Sequence, residues 1–197
     1  MNKSQLLQHL KNQSFSEKII KAFEKVPREE FIPSSLKHYA YEDNALPLES
    51  GATISQPYTI AFMLELLELK SKQKILEIGS GSGYVLALIN EITKGEIYGI
   101  EIISSLAKKS KQHLKKYKNI KIINNNGFHG LPEKAPFDRI LISASSEKLP
   151  IHLYKQLSQE GIIVTPVNSS ICQIRKSNSK ITLKEFPGFI FVPLKQN

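Results

Sequence analysis

Glycine stands at every second position in Gly79-Ser80-Gly81-Ser82-Gly83, directly after the apolar run Ile75-Leu76-Glu77-Ile78 and directly before Tyr84. Glycines let a backbone turn sharply and approach a ligand closely, and the N–H groups of a helix opening there point outward at it. Taken alone, such a loop is compatible with dinucleotide binding or with a simple tight turn. Its spacing, G-x-G-x-G, departs from the dinucleotide fingerprint G-x-G-x-x-G. An acid, Glu77, precedes the loop, and a second acid, Glu101, closes the next apolar run. A carboxylate at that strand end can accept hydrogen bonds from both hydroxyls of a ribose. The alternative for Glu101 is an ordinary strand-end acid capping the following helix. For Glu77 the alternative is stronger: anchoring the loop's own N–H groups. His9, His38, His113, His129 and His152 show no metal-ligand spacing and no clustered acids, so they read as surface or structural residues and no metal is expected. Cys172 falls on an apolar run and reads as core.

The elements around the loop follow from periodicity. Residues 74–78, 97–101, 120–123 and 139–143 are predicted strands, alternating with predicted helices at 84–92 and 106–117 and a helical stretch at 150–157. Strand-helix alternation requires parallel pairing with right-handed crossovers. The expected fold is therefore an α/β, doubly wound, mostly parallel sheet. Further strands at 162–167, 171–176, 181–186 and 189–194, with turns at Ser177-Asn178-Ser179 and Pro187-Gly188, predict an antiparallel C-terminal edge. The N-terminal third is predicted helical. Ser14-Phe15-Ser16-Glu17 has capping-box spacing, Ile19, Ile20, Phe23 and Val26 share one helical face, and Pro27 stops that helix. Ser55 reads as an N-cap, with Pro57 in the first turn of a helix running to about Leu69.

A chain of 197 residues, 41% hydrophobic and 23% charged, suits one globular domain. A single cysteine excludes an internal disulfide and fits a reducing compartment. No stretch approaches the ~18 unbroken apolar residues of a membrane span, and the N-terminus lacks a signal-peptide apolar region. A soluble, cytoplasmic protein is expected. The net charge is +9, which suits a nucleic-acid surface or simply lysine-rich solvent faces. With only three arginines in the chain, the second reading is preferred, and no nucleic acid is expected as a partner.

Other motifs narrow the reading. Val26-Pro27-Arg28-Glu29-Glu30-Phe31-Ile32-Pro33, Ala40-Tyr41-Glu42-Asp43 and Ala45-Leu46-Pro47-Leu48 are followed by Thr53-Ile54-Ser55-Gln56-Pro57-Tyr58. Later come the glycine loop, Ala135-Pro136-Phe137-Asp138, Gln156-Leu157, Pro166-Val167 and Phe191-Val192-Pro193-Leu194. In this order they resemble the protein-L-isoaspartate O-methyltransferases, a family of class I S-adenosylmethionine-dependent methyltransferases, over nearly the whole chain. The resemblance implies methyl transfer from S-adenosyl-L-methionine to the α-carboxylate of L-isoaspartyl residues in damaged proteins or peptides. It implies a cofactor site of Ile54, Ser55, Tyr58, Glu77, Gly79, Ser80, Gly81, Glu101, Ile102, Asn126 and Gly127. Thr53, Ser55 and Val192 would face the substrate, with Ser55 as the catalytic residue whose hydroxyl donates to the attacking carboxylate. Residues 190–194 would lie beside the peptide, as an added strand or as core packing. Residues 1–72 would form a helical substrate-side portion and residues 73–197 the cofactor-binding α/β core of one domain, as a monomer away from membranes.

Three positions depart from the family pattern. Asn125-Asn126-Gly127 stands where Gly-Asp-Gly is usual, so the acceptor for the adenine amino group keeps its carbonyl and loses its charge. That change weakens cofactor binding by about 1 kcal/mol. Ala52 replaces a glutamine, and Asn168 replaces a glycine. A weakened paralogue, a same-fold methyltransferase for another substrate, and a non-catalytic binding module are the competing readings. Ser143-Ala144-Ser145-Ser146 lacks the Asn-Pro-Pro-Tyr-type pocket expected for base methylation.

Overall fold

The structure, a computed structural model, describes residues 1–178 and 180–191. Helix α1 (Lys3–Asn12) opens on a capping box in which Asn2 and Gln5 exchange side-chain and backbone bonds. Helix α2 (Glu17–Lys25) buries Ile19, Ile20, Ala22 and Phe23, as the spacing predicts. Its expected capping box does not form. Ser14 adopts a left-handed conformation (φ 61°), Ser16 is the N-cap without a side-chain bond, and the Ser16 N–H donates to Glu65 instead at 2.8 Å. A carboxylate 49 residues away in sequence takes the place of a local one.

Pro27 ends α2, and two 3-10 turns lead to a small antiparallel pair, β1 (Leu46–Pro47) with β2 (Thr53–Ile54). Helix α3 (Pro57–Leu66) follows, shorter than the expected run to Leu69, with Gln56 rather than Ser55 at its N-cap position and no capping bond from its side chain. The first-turn donor is satisfied from outside: the Tyr58 N–H donates to Asp43 Oδ1 at 2.8 Å. Ser55 is thereby released from the capping role.

The main sheet has seven strands in the order β5-β4-β3-β6-β7-β8-β9. They are β3 (Ile75–Ile78), β4 (Ile97–Glu101), β5 (Ile120–Asn124), β6 (Phe137–Ile142), β7 (Leu157–Val167), β8 (Ser170–Ser177) and β9 (Lys180–Pro187). Strands β3 to β7 pair in parallel, whereas β8 and β9 run antiparallel at the edge. Helices α4 (Tyr84–Thr93) and α5 (Ser104–His113) make the crossovers on one side of β3. This is the doubly wound, mostly parallel architecture with an antiparallel C-terminal edge. The expected strand over 189–194 is not present in residues 189–191, and 192–194 lie outside the described residues. Gly188 is left-handed (φ 98°), and the Ser169 carbonyl accepts from both Gly188 and Phe189 N–H, turning the chain off β9. Phe189 then packs on Phe62.

Every residue of β3 is buried, and strand alternation splits them between faces. Ile75 joins an apolar cluster with α1–α4, while Leu76 and Ile78 join a second cluster with Tyr98, Phe137 and Ile140. Glu77 shares the face of Ile75, toward α3. The strand order reverses between β4 and β6 on either side of β3, the place where chains leaving adjacent strand ends diverge into a crevice.

Candidate active site

The three loop glycines are all left-handed, with φ 78°, 53° and 86° at Gly79, Gly81 and Gly83, so the spacing read in the sequence is a conformational requirement. A Cβ at Gly83 would sit 2.6 Å from Ser110 Oγ and 2.7 Å from Leu114 Cδ1. The loop donors turn inward. Gly79 and Ser80 N–H share the Ile100 carbonyl, and Gly83 N–H donates to the Ser80 carbonyl.

Gly81 N–H donates to Glu101 Oε2 at 2.7 Å, and Ile103 N–H donates to Glu101 Oε1 at 2.8 Å. Glu101 therefore anchors the loop, a task the sequence suggests for Glu77, and also caps the segment before α5. Each of its oxygens keeps a lone pair for a further donor. Glu77 has a different environment. Ser143 Oγ donates to its Oε1 at 2.6 Å, while Oε2 is buried without a partner. Burial pushes the carboxyl up to about 8; the Ser143 bond opposes this, and the nearby Glu101 charge adds to it. Ser80 Oγ is also buried and unpartnered.

Two cavities meet here. One is lined by the glycine loop, Glu77, Leu48, Ile54 and Tyr84; the second by Asn44, Gln56, Thr59, Ile190 and Phe191. Thr53, Ser55 and Ser143 line both. The Ser55 hydroxyl has no hydrogen-bond partner among the described residues, so it is available at the junction. A third cavity, lined by Ile78, Gly127, Phe128, Ile142 and His152, opens beyond the ends of β3 and β6.

Thr53, Ile54, Ser55, Glu77, Gly79, Ser80 and Gly81 are thus brought together, and Glu101 touches the loop. Gly127 must be glycine, because a Cβ there would lie 2.5 Å from Ile78 Cγ2. Asn126 Oδ1 accepts the Phe128 N–H at 2.9 Å, and the Ile102 carbonyl accepts from Asn124. Tyr58 does not line these cavities: its ring packs against Phe15 and Phe62, since its place in the first turn of α3 turns it toward the N-terminal helices. Val192 lies outside the described residues. Sequence reasoning missed Ser143, Asp43 and Arg28 as site residues. Ser143 was legible only as the last residue of a predicted strand, one residue beyond the observed end of β6 at Ile142, and Arg28 only as part of a motif.

Residues 1–197 match the protein-L-isoaspartate(D-aspartate) O-methyltransferase family. The chain belongs to this family. A protein-L-isoaspartate O-methyltransferase of Dictyoglomus turgidum is 40% identical over 197 residues, covering 96% of this chain and 89% of its own. One from Ignicoccus hospitalis is 39% identical over 185 residues, covering 89% and 88%. Among solved structures, a Plasmodium falciparum protein described as a protein-L-isoaspartate O-methyltransferase, in complex with S-adenosyl-L-homocysteine, superposes with a TM-score of 0.88 at 26% identity. The match covers 100% of both chains. The protein is therefore a methyltransferase by family and by fold. Its departure at Asn168 is mild in conformation: Asn168 is left-handed (φ 50°), the geometry glycine favours and asparagine tolerates best among the other residues. No helix among the described residues is long and apolar enough to cross a membrane. Nor do they hold a group of three or more His, Cys, Asp or Glu side chains that could hold a metal ion.

Proposed function

We propose that this protein methylates the α-carboxylate of L-isoaspartyl residues in damaged proteins, with S-adenosyl-L-methionine as donor. The junction of two cavities at Thr53, Ser55 and Ser143 carries this reading: one side suits a cofactor, the other an extended acceptor. The residues present fit the donor. Glycines with positive φ leave the loop free of side chains, and the unpartnered Glu77 Oε2 and Ser80 Oγ offer acceptors for its cationic end. Glu101 would hold the ribose and Asn126 the adenine, with Ile102 and Gly127 as walls. When bound, the donor supplies a methyl group activated by a positive sulfur.

The chain's own work is alignment. An acceptor carboxylate is ionised at neutral pH, so no general base is needed. Ser55 would donate its hydroxyl to that carboxylate and fix its direction, and the apolar walls Leu48, Ile54 and Ile60 exclude water. Proteins and peptides carrying isoaspartate are the partners on this reading. Nucleic acid lies outside the proposal, because each of the three arginines is engaged by a carbonyl or carboxylate of the chain itself and the remaining positive charge is lysine.

The decisive assay compares methyl transfer to an isoaspartyl peptide with transfer to its aspartyl counterpart. Labelling of the first alone is expected; equal labelling of both, or of neither, sinks the reading. Ser55→Ala should lower turnover by about 100-fold, the size expected for losing one positioned donor, while S-adenosyl-L-homocysteine binds as before; undiminished turnover would remove Ser55 from the reaction.

A further inference from the structure

Arg28 is the largest fully buried side chain among the described residues. It does not pair with a carboxylate among the described residues; Asp43 acts on it only through space. Nη1 donates to the Ser55 carbonyl at 2.9 Å, and Nη2 donates to the Asn44 carbonyl at 3.1 Å. Its Cζ lies 5.5 Å from the centroid of the Tyr84 ring, while Nε has no partner. Burial lowers the guanidinium to about 10, so it remains a cation at neutral pH.

Taking a charge out of water is expensive, and hydrophobic residues of similar volume commonly fill such a place at less cost. The contacts made here give the charge a purpose. Ser55 and Asn44 are two walls of the acceptor cavity, and Tyr84 is a wall of the cofactor cavity. Ser55 lies outside both β2 and α3, so neither ladder nor helix bonds fix its peptide. A planar fork reaches two carbonyls from separate nitrogens with little loss of freedom, whereas a lysine offers one ammonium on a flexible stem.

We propose that Arg28 is the positioning residue of the transfer site: its buried fork holds the Ser55 and Asn44 segments in register, placing the Ser55 hydroxyl at the cavity junction. The proposal rests on the methyl-transfer reading above. The positive charge behind the Ser55 peptide also favours an anionic acceptor in front of it.

Arg28→Gln, Ser55→Ala and the double variant form the test, read as kcat/KM for an isoaspartyl peptide and as S-adenosyl-L-homocysteine affinity by calorimetry. Arg28→Gln should lose about 100-fold in kcat/KM, the size expected for a misplaced reacting group, with cofactor affinity within about 3-fold. The double variant should be no worse than the weaker single one, because both remove the same alignment. Additive losses, or cofactor affinity falling as far as turnover, would show a merely structural residue and overturn the proposal. Arg28→Lys keeps the charge but loses the fork, and should recover only part of the activity; full recovery also overturns it. Should Arg28→Gln fail to fold, the same cycle is run with Arg28→Lys. The wild-type protein gives a check free of folding: a held fork shows separate, slowly exchanging Nη proton signals by NMR, and one averaged signal refutes it. Absence of isoaspartyl methylation in the wild type would sink the parent reading instead.

Discussion

Glu77 shares its burial with one serine hydroxyl and leaves its second oxygen bare, an arrangement that tolerates a neutral carboxyl better than a charged one. Its folded-state value, raised from 4.5 to about 8, means the folded protein keeps a proton that the unfolded chain loses. Such a group contributes stability below pH 4.5, and the contribution is lost as pH rises through about 8. Chemical denaturation of the cofactor-free protein should therefore show wild-type stability falling across that window, and Glu77→Gln should flatten the fall. Parallel pH profiles for the two proteins would contradict the raised value. Asn126 belongs to the same scale: its carbonyl oxygen accepts the Phe128 N–H at 2.9 Å, which fixes the side chain beside Gly127.

At the level of elements, the start of α3 is the joint between the two cavities and the apolar core. Asp43 caps it through the Tyr58 N–H at 2.8 Å, accepts from Gln56 at 3.1 Å, and faces His9 at 3.3 Å. Asp43→Ala should cost about 1 kcal/mol and lower the melting temperature by about 2–4 °C. Asp43→Asn, which keeps an acceptor, should recover most of it. An unchanged melting temperature in Asp43→Ala would show that α3 is held by packing alone. The β1–β2 arch belongs to the same joint. Leu48 approaches Gly81, and Glu49 is paired with Lys109 of α5, so the arch is tied across the cofactor loop.

Over the whole molecule, charge is divided by chemistry. The chain carries 27 Lys and Arg against 18 Asp and Glu, yet all three arginines make internal contacts. Arg28 holds Ser55 and Asn44, Arg139 donates to the Leu67, Asp138, Glu160 and Glu68 carbonyls, and Arg175 pairs with Glu68. The outward excess is lysine, a diffuse field with no bidentate reader. Such a field attracts acidic partners and is screened by salt. Raising salt from low to physiological strength should raise KM for an isoaspartyl peptide with acidic flanks several-fold and leave a neutral-flanked one unchanged. Equal salt dependence for both would assign no role to the surface charge.

Strand β4 and the start of α4 were legible to the residue, because apolar runs bounded by glycine record which backbone is buried and where it must turn. The glycine loop was legible for the same reason: only glycine suits three left-handed positions in five residues. Helix starts were less so. The local candidates Ser14 and Ser55 lost to Glu65 and Asp43, since an N–H donates to whichever acceptor folding brings near. Periodicity is a local record of burial, so the amino-acid order by itself determined the sheet, its parallel run and the crevice at its switch point. Only the tertiary structure decided which carboxylate anchors the loop, which stays bare, and that Arg28 reaches Ser55 across 27 residues. Those are hydrogen bonds between distant segments, and no spacing along the chain encodes them.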